Sequence, residues 1–155
     1  MQPTSSPSLS INAFESLVSK ICHDLIGPAG AIGNGLELIE EMGADAHEDA
    51  LSLIGDSAAR AASRLNVFRL ACGRAGRGFD VDIGAVKQAF AELIAQENRL
   101  EVDWPEGEKL DEALQTRPEA AKLVLNVLLI AKDCLPRGGV IAFRGIPSGA
   151  EIRAE

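Results

Sequence analysis

The strongest constraint in this sequence is the spacing of its apolar and small residues between Phe14 and Met42. They recur at alternating intervals of four and three, a heptad period that gives one face of an α-helix a continuous seam. The seam comprises Phe14, Val18, Ile21, Leu25, Pro28, Ile32, Gly35, Ile39 and Met42. This spacing predicts a long helix that packs lengthwise against another helix.

A second seam of the same kind follows a short break. Gly43 is a typical helix end, and Asp45-Ala-His-Glu48 has the form of a capping box that opens a new helix. The second seam runs through Leu51, Ile54, Ala58, Ala61, Leu65, Phe68 and Cys72 until Gly73, Gly76 and Gly78 interrupt it. We predict two antiparallel helices, each on the order of 40 Å long.

A single hairpin leaves apolar surface uncovered, because Leu17, Leu36 and Leu38 widen the stripe of the first helix. A second copy would cover it in a two-fold four-helix bundle. The C-terminal half of the same chain could cover it instead. Of these two arrangements we predict the homodimer.

The period changes in the second half, which we predict to be a small α+β module. Thr116-Arg-Pro-Glu119 has the form of another capping box, and it opens an almost wholly apolar helix that we expect to be buried through Cys134. The other predicted elements are a helix over 82–98, strands over 100–104, 140–144 and 150–155, and a turn at 147–149.

Composition narrows the class of function. The net charge of −8, from 15 Lys+Arg and 23 Asp+Glu, argues against a general electrostatic grip on nucleic acid or anionic lipid. Cys22, Cys72 and Cys134 form no CxxC pair and are predicted to be reduced core thiols. The N-terminus has no signal-peptide pattern, and the longest apolar run, residues 123–131, is too short to span a bilayer. We therefore expect a cytoplasmic protein.

His23 is the main candidate for chemistry. It falls at heptad position f, farthest from the seam, so it should face water. Pro28 lacks an amide hydrogen and clashes with the carbonyl four residues back, which predicts a bend just beyond His23. A neutral imidazole nitrogen is a nucleophile toward phosphorus, and Asp24 could hold the ring or accept its proton. An idle surface histidine is the alternative.

The hairpin geometry brings a second set of candidates. Residues about twenty before and after the turn lie level, so we predict His23 beside Arg64. Arg60 and Arg64 are the two guanidinium groups that we expect to meet a phosphoryl group on His23. Alternatively, Arg60 and Arg64 belong to a solvated helix face and have no role in binding. His47 is predicted to be a surface residue, and no metal-ligand spacing or P-loop occurs.

Two segments resemble histidine kinases. Ile21-Cys-His-Asp-Leu-Ile-Gly-Pro28 resembles the H-box of their dimerisation domains, and residues 125–139 resemble the first ATP-contacting helix of their catalytic domain. In that helix an Asn is followed four positions later by Asn-Ala. Here Asn126 matches, but Ile130 replaces the second Asn and has no oxygen for Mg²⁺. Later glycine-rich nucleotide-binding segments are missing, so these positions are predicted to be vestigial.

A complete hairpin followed by a decayed catalytic-like domain is similar to the ChpT-type histidine phosphotransferases, over roughly residues 12–145. The resemblance implies an α+β fold with a flexible N-terminus (1–10) and a helical hairpin for dimerisation and phosphotransfer (11–78). Residues 79–155 would form a shortened or truncated, partial Bergerat-type α/β sandwich of the histidine-kinase ATPase type.

The resemblance also implies a function. His23, assisted by Asp24, would accept a phosphoryl group from the aspartate of a hybrid kinase's receiver domain and pass it to response regulators, without ATP-dependent kinase activity. The receiver would supply Mg²⁺, and this chain would need no cofactor or metal of its own. Candidate phosphoryl-binding or receiver-docking residues are Lys20, Gly27, Gly30, Arg60, Arg64 and Asn66.

Three competing hypotheses stay open. An ATP-dependent histidine kinase of the same ancestry would bind nucleotide. A non-catalytic dimeric scaffold would keep its function when His23 is replaced by Ala. A binding module would hold some other ligand near Asn126.

Overall fold

The computed structural model describes residues 10–42, 47–73, 81–97, 99–104, 118–146 and 149–155. Their elements are α1 (Ile11–Met42), α2 (His47–Cys72), α3 (Ile83–Ile94), β1 (Leu100–Asp103), α4 (Pro118–Asp133), β2 (Gly139–Ile146) and β3 (Gly149–Ala154). These helices and this small sheet confirm the α+β class. The predicted caps at Asp45 and Thr116, the turn residues 147–148 and residues 1–9 lie outside the described residues.

The chain divides into two compact units, one ending at Ala61 and the other beginning at Ala62. The division falls inside α2, and the domain bounds 11–78 and 79–155 stay a prediction. The division falls there because the last turns of α2, with Val67, Leu70 and Ala71, belong to the hydrophobic core of the second unit.

In the first unit, the buried residues of α1 lie on its predicted seam. Pro28 and Gly35 are buried, whereas Phe14 and Val18 near its start are 57% and 41% exposed. The half-buried seam residues are Ile21, Leu25, Ile32 and Ile39. The helix is continuous through Pro28. The bend near this proline stays a prediction.

Helices α1 and α2 come together at Gly35. A Cβ atom on Gly35 would lie 2.6 Å from Cγ1 of Ile54 and 3.3 Å from the carbonyl oxygen of Ala50. Gly35 is about two turns before the end of α1, and Ile54 is about two turns after the start of α2. This contact is the one expected near the turn of a helical hairpin.

The buried face of α2 differs from the predicted one. Ala50 and Ser57 are only 0% and 2% exposed, whereas Leu51 and Leu65 are 57% and 52% exposed. The prediction followed the larger apolar side chains. The small side chains of Ala50 and Ser57 are buried in place of the predicted Leu51 and Ala58, which lie at the surface together with Leu65. The predicted seam residues Ile54, Ala61 and Phe68 are half-buried, so the seam is confirmed in part.

The second unit packs α3, α4 and the end of α2 with a three-stranded sheet of order β1-β2-β3. Strand β1 pairs parallel to β2, and β3 pairs back antiparallel to β2. Helix α3 starts at Asp82, whose carboxylate accepts a hydrogen bond from the amide of Ala85 at 2.7 Å. Phe90, Leu125, Leu128, Ile141 and Phe143 are the largest side chains at the centre of this core. All three predicted strands and both predicted helices are confirmed.

Two burial predictions are wrong. Helix α4 buries one face against α3 and the sheet, but its other face leaves Leu123 and Ile130 66% and 63% exposed. Cys22, Cys72 and Cys134 are free thiols, yet all are exposed. Cys72 ends α2 and Cys134 directly follows α4, so both lie at helix ends. Among the described residues, no helix is long and apolar enough to cross a membrane.

The contact at Gly35 generates a paired prediction. Gly35→Ala should destabilise the protein by about 1–2 kcal/mol, because Ile54 must move to admit the new methyl group. Gly33→Ala, with nothing within 4 Å of its Cβ position, should stabilise it by about 0.5–1 kcal/mol through helix propensity. Urea denaturation followed by circular dichroism measures both changes. An equal gain in the two variants would contradict the close approach.

Candidate functional site

His23 projects from the exposed side of α1. Its side chain is 88% exposed, which confirms the prediction that heptad position f faces water. Pro28, five residues later, cannot donate a backbone hydrogen bond to the carbonyl of Asp24. The site is therefore a water-accessible imidazole on an otherwise regular helix.

Asp24 holds the imidazole ring of His23. Nδ1 of His23 lies 3.2 Å from Oδ1 of Asp24, a carboxylate that is only 25% exposed. An ionised carboxylate can only accept a hydrogen bond, so this contact favours the tautomer that carries its proton on Nδ1. The other ring nitrogen, Nε2, then keeps its lone pair. The predicted pairing of His23 with Asp24 is thus present, and it leaves Nε2 without the proton.

Lys20 contacts the same carboxylate from one turn earlier. Its Nζ lies 3.5 Å from Oδ2 of Asp24, and its side chain is 46% exposed. Exposed ion pairs at this helical spacing stabilise by only about 0.3–0.5 kcal/mol, and the order Lys before Asp is the weaker one. Lys20 is therefore close to the histidine but loosely held.

An open groove lies beside His23 on the N-terminal side. It is lined by Glu15, Ser16, Ser19, Lys20 and His23. Helical side chains lean toward the N-terminus of their helix, so the imidazole lies over the preceding turn. Glu15, Ser16 and Ser19 are not among the residues predicted from the sequence. The spacings of four and seven residues between His23 and the two serines were the available signal.

The face of α1 beyond His23 is open and nearly flat. Gly27 and Gly30 are exposed, and a Cβ atom on either would meet nothing within 4 Å. Ile26, between them and the histidine, is 69% exposed. This leaves room for another molecule to approach α1 closely.

The predicted arginines are described in different units. Arg60 is exposed in the first unit, and Arg64 is half-buried in the second. Asn66 accepts a hydrogen bond from Nη2 of Arg69 at 2.8 Å. The proximity of Arg60 and Arg64 to His23 stays a prediction.

Asn126, the predicted vestigial nucleotide-site residue, serves another purpose. Its Nδ2 donates to the carbonyl of Lys122 at 2.8 Å and, more weakly, to that of Ala71 at 3.4 Å. The ammonium of Lys122 donates to the carbonyl of Gly73. Unpaired carbonyls at a helix C-terminus need such donors. Asn126 and Lys122 therefore cap α2.

The surroundings of this cap hold neither a metal-ligand set nor an ionised thiol. Partial burial raises the pKa of Cys72, while the charge of Lys122 opposes that rise. Ile130, which replaces the second Asn, is exposed. Throughout the described ranges, no three His, Cys, Asp or Glu side chains are grouped to hold a metal ion.

The chain thus combines two features. A long helix carries an exposed histidine whose ring contacts a carboxylate, and an α+β module follows that helix in the sequence. A family model for the histidine phosphotransferase C-terminal domain matches residues 83–155. A bacterial phosphotransferase of known structure aligns over 94% of this chain and 68% of its own, with a TM-score of 0.67 and 36% identity. The chain belongs to the histidine phosphotransferase family.

A curated relative is also similar. The protein phosphotransferase ChpT of Brucella abortus (strain 2308) is 43% identical over 143 residues. The alignment covers 92% of this chain and 64% of the relative, so the chain spans less than two thirds of that protein's length.

The capping role of Asn126 predicts a purely structural effect. Asn126→Ala should lower the free energy of unfolding by about 1 kcal/mol, because the carbonyls of Lys122 and of Ala71, at the end of α2, lose a donor. Urea denaturation measures the loss. Ile130→Ala, on the exposed face of the same helix, is the control and should change stability by less than about 0.5 kcal/mol. Equal effects in both variants would argue against the cap.

Proposed function

We propose that the protein is a histidine phosphotransferase of a two-component phosphorelay. His23 accepts a phosphoryl group from the aspartyl phosphate of one receiver domain and passes it to the aspartate of a response regulator. The observation that carries the proposal is the contact of Asp24 with Nδ1 of His23, on a side chain that is 88% exposed. Nε2 is then both nucleophilic and accessible to a docked partner.

The chemistry needs little more than this pair. The lone pair of Nε2 attacks phosphorus, a nitrogen–phosphorus bond forms, and the bond from phosphorus to the aspartate oxygen breaks as the carboxylate leaves with its electrons. The imidazole gains positive charge in this step. Asp24, 3.2 Å from Nδ1, offsets that charge or accepts the Nδ1 proton. Delivery to the next receiver is the reverse reaction.

The receiver supplies the rest of the reaction centre. Its Mg²⁺ and acidic pocket hold the phosphoryl group, so this chain contributes the nucleophile and a docking surface. We place that surface around His23, on Lys20, Ile26, Gly27 and Gly30. Arg60 and Arg64 belong to the same proposal as guanidinium groups that face the phosphoryl group. A modest, transient interface with an apolar centre fits this use.

The state of Asn126 supports phosphotransfer over an ATP-dependent kinase. Its amide donates to the carbonyl of Lys122 within α4 and to that of Ala71 at the end of α2, and Ile130 offers no oxygen ligand for Mg²⁺. The second unit is then a partial Bergerat-type module that braces the helices instead of binding ATP. Transfer by Asn126→Ala should stay within about twofold of the wild type, because the residue touches neither reactant.

The exposed apolar residues of the helices support a homodimer. Leu51, Ala58 and Leu65 repeat every seven residues along α2 and are exposed in one protomer, as are Phe14 and Val18 on α1. A second copy would cover these stripes in a four-helix bundle made of two antiparallel hairpins. The place of action in this proposal is the cytoplasm, where receiver domains and free thiols are found together.

The proposal is tested with two phosphoryl sources in parallel. The purified protein receives either γ-labelled ATP with Mg²⁺ or a labelled, phosphorylated receiver domain of a hybrid kinase. We expect acid-labile label from the receiver alone. The label should disappear in His23→Ala and persist in the matched control His47→Ala, because His47 is the other histidine of the chain.

Two results would contradict the proposal. Direct labelling by ATP would indicate a kinase. Labelling from neither source, with several receivers tried, would favour a non-catalytic scaffold.

The dimer has a test of its own. Leu51→Glu places a charge in the exposed stripe of α2 and should shift the protein from dimer to monomer, since an unpaired charge is costly at an apolar interface. Ser52→Glu, at the adjacent exposed position, should leave the mass unchanged. Light scattering coupled to size-exclusion chromatography reads both. A dimeric Leu51→Glu protein would contradict this interface.

A further inference from the structure

The groove beside His23 contains polar side chains that the proposed transfer reaction has not yet used. Its lining residues other than His23 all precede the histidine in the chain. Two of them, Ser19 and Lys20, are one helical turn before it. Glu15 and Ser16 are about two turns before it, roughly 10–12 Å along the helix axis.

Helix geometry places Ser19 and Lys20 on either side of the imidazole. Residues four and three positions before His23 are its neighbours on the helix surface, with Cβ atoms about 5–6 Å away. The imidazole leans over that same turn. Because Asp24 engages Nδ1, a phosphoryl group can bond only to Nε2, on the side of the ring away from that carboxylate.

The two side chains provide complementary donors for such a group. The hydroxyl of Ser19 can donate one hydrogen bond to a phosphoryl oxygen. The ammonium of Lys20 carries a full charge, and its contact with Asp24 is a 3.5 Å exposed pair that a nearby dianion can outcompete. Glu15 is too distant along the helix to oppose the phosphoryl group directly.

We propose that Ser19 and Lys20 bind the phosphoryl group once it is on His23. Ser19 donates its hydroxyl hydrogen to one phosphoryl oxygen, and Lys20 turns from Asp24 to pair with the negative charge. This inference rests on the proposed function, since it identifies the residues of this chain that hold the transferred group. It locates the phosphoryl-binding side of the site N-terminal to His23, opposite the open glycine face.

The consequence is a longer-lived phosphohistidine. Loss of a phosphoryl group from nitrogen is driven by electron density on the phosphoryl oxygens, and donors that bind those oxygens withdraw it. Ser19 and Lys20 therefore slow hydrolysis between the arrival of the group and the docking of the next receiver.

The test charges His23 without any receiver. A protein without a histidine tag, carrying His47→Gln so that His23 is its one histidine, is treated with potassium phosphoramidate. The phosphorus–nitrogen bond of the reagent breaks, ammonia leaves, and a phosphorus–Nε2 bond forms. The reagent is then removed, and the ³¹P resonance of the protein is followed with time.

We expect Ser19→Ala and Lys20→Gln each to shorten the phosphohistidine half-life roughly threefold and to move its ³¹P resonance. Ser16→Ala, the same change two turns from His23 in the same groove, should do neither. The effect of Lys20→Gln should shrink in 1 M salt, because charge pairing is screened there, whereas that of Ser19→Ala should persist. Circular dichroism confirms that each variant is folded.

An unchanged half-life and resonance in Ser19→Ala and Lys20→Gln would overturn the inference, as would an equal effect in Ser16→Ala. The proposed function fails separately. If phosphoramidate charges His23 but no phosphorylated receiver does, the relay role is wrong even where the groove residues protect the phosphoryl group.

Discussion

Helix α2 is the element on which both compact units depend. Near its start, Ala50 and Ser57 are buried and Ile54 is half-buried, and Gly35 of α1 permits the close contact with Ile54. Near its end, Val67, Leu70 and Ala71 are part of the core of the second unit. A single continuous helix therefore supplies packing surface to both the histidine-bearing helix and the α+β module.

The second unit provides the side chains that cap the end of α2. Lys122 and Asn126 of α4 donate to the backbone carbonyls that α2 leaves unpaired at its end. In the histidine-kinase pattern the position of Asn126 serves a nucleotide. Here the amide of Asn126 caps the end of α2. The module thus contributes to stability by holding the end of α2.

In the proposed relay the site of this chain can be small, because its chemistry is shared with a partner. One carboxylate fixes the ring of His23, and the rest of the side chain is open to water. An exposed nucleophile of this kind is poorly suited to bind ATP by itself. It is well suited to enter the pocket of another protein that brings a metal ion and the phosphoryl group.

Much of this fold could be predicted from periodicity. The heptad spacing predicted α1 and the exposure of His23, and alternation predicted the strands, because both patterns report which side of an element faces solvent. Periodicity does not report the distance between helices. For that reason half of the α2 seam was predicted one residue away, on Leu51 and Ala58 instead of Ala50 and Ser57, while Ile54 was placed correctly.

Other features depend on how much of an element its neighbours cover. An apolar helix such as α4 looks buried in the sequence, but α3 and the sheet cover one side of it, and Ile130 remains exposed. The hydrogen bond from Asn126 to the carbonyl of Ala71 joins residues far apart in the chain, so no local pattern contains it. The position of Ser19 one turn before His23 could be read from the sequence. A single serine, however, does not by itself indicate a binding role.

In the proposed mechanism, Asp24 directs the reaction to one atom, Nε2 of His23. The most direct measurement is ³¹P and ¹⁵N nuclear magnetic resonance of uniformly ¹⁵N-labelled protein after phosphorylation by a receiver domain, with the nitrogen that carries phosphorus identified from its coupling. We expect phosphorus on Nε2 of His23, with Nδ1 still facing Asp24. Phosphorus on Nδ1, or on any residue other than His23, would contradict it.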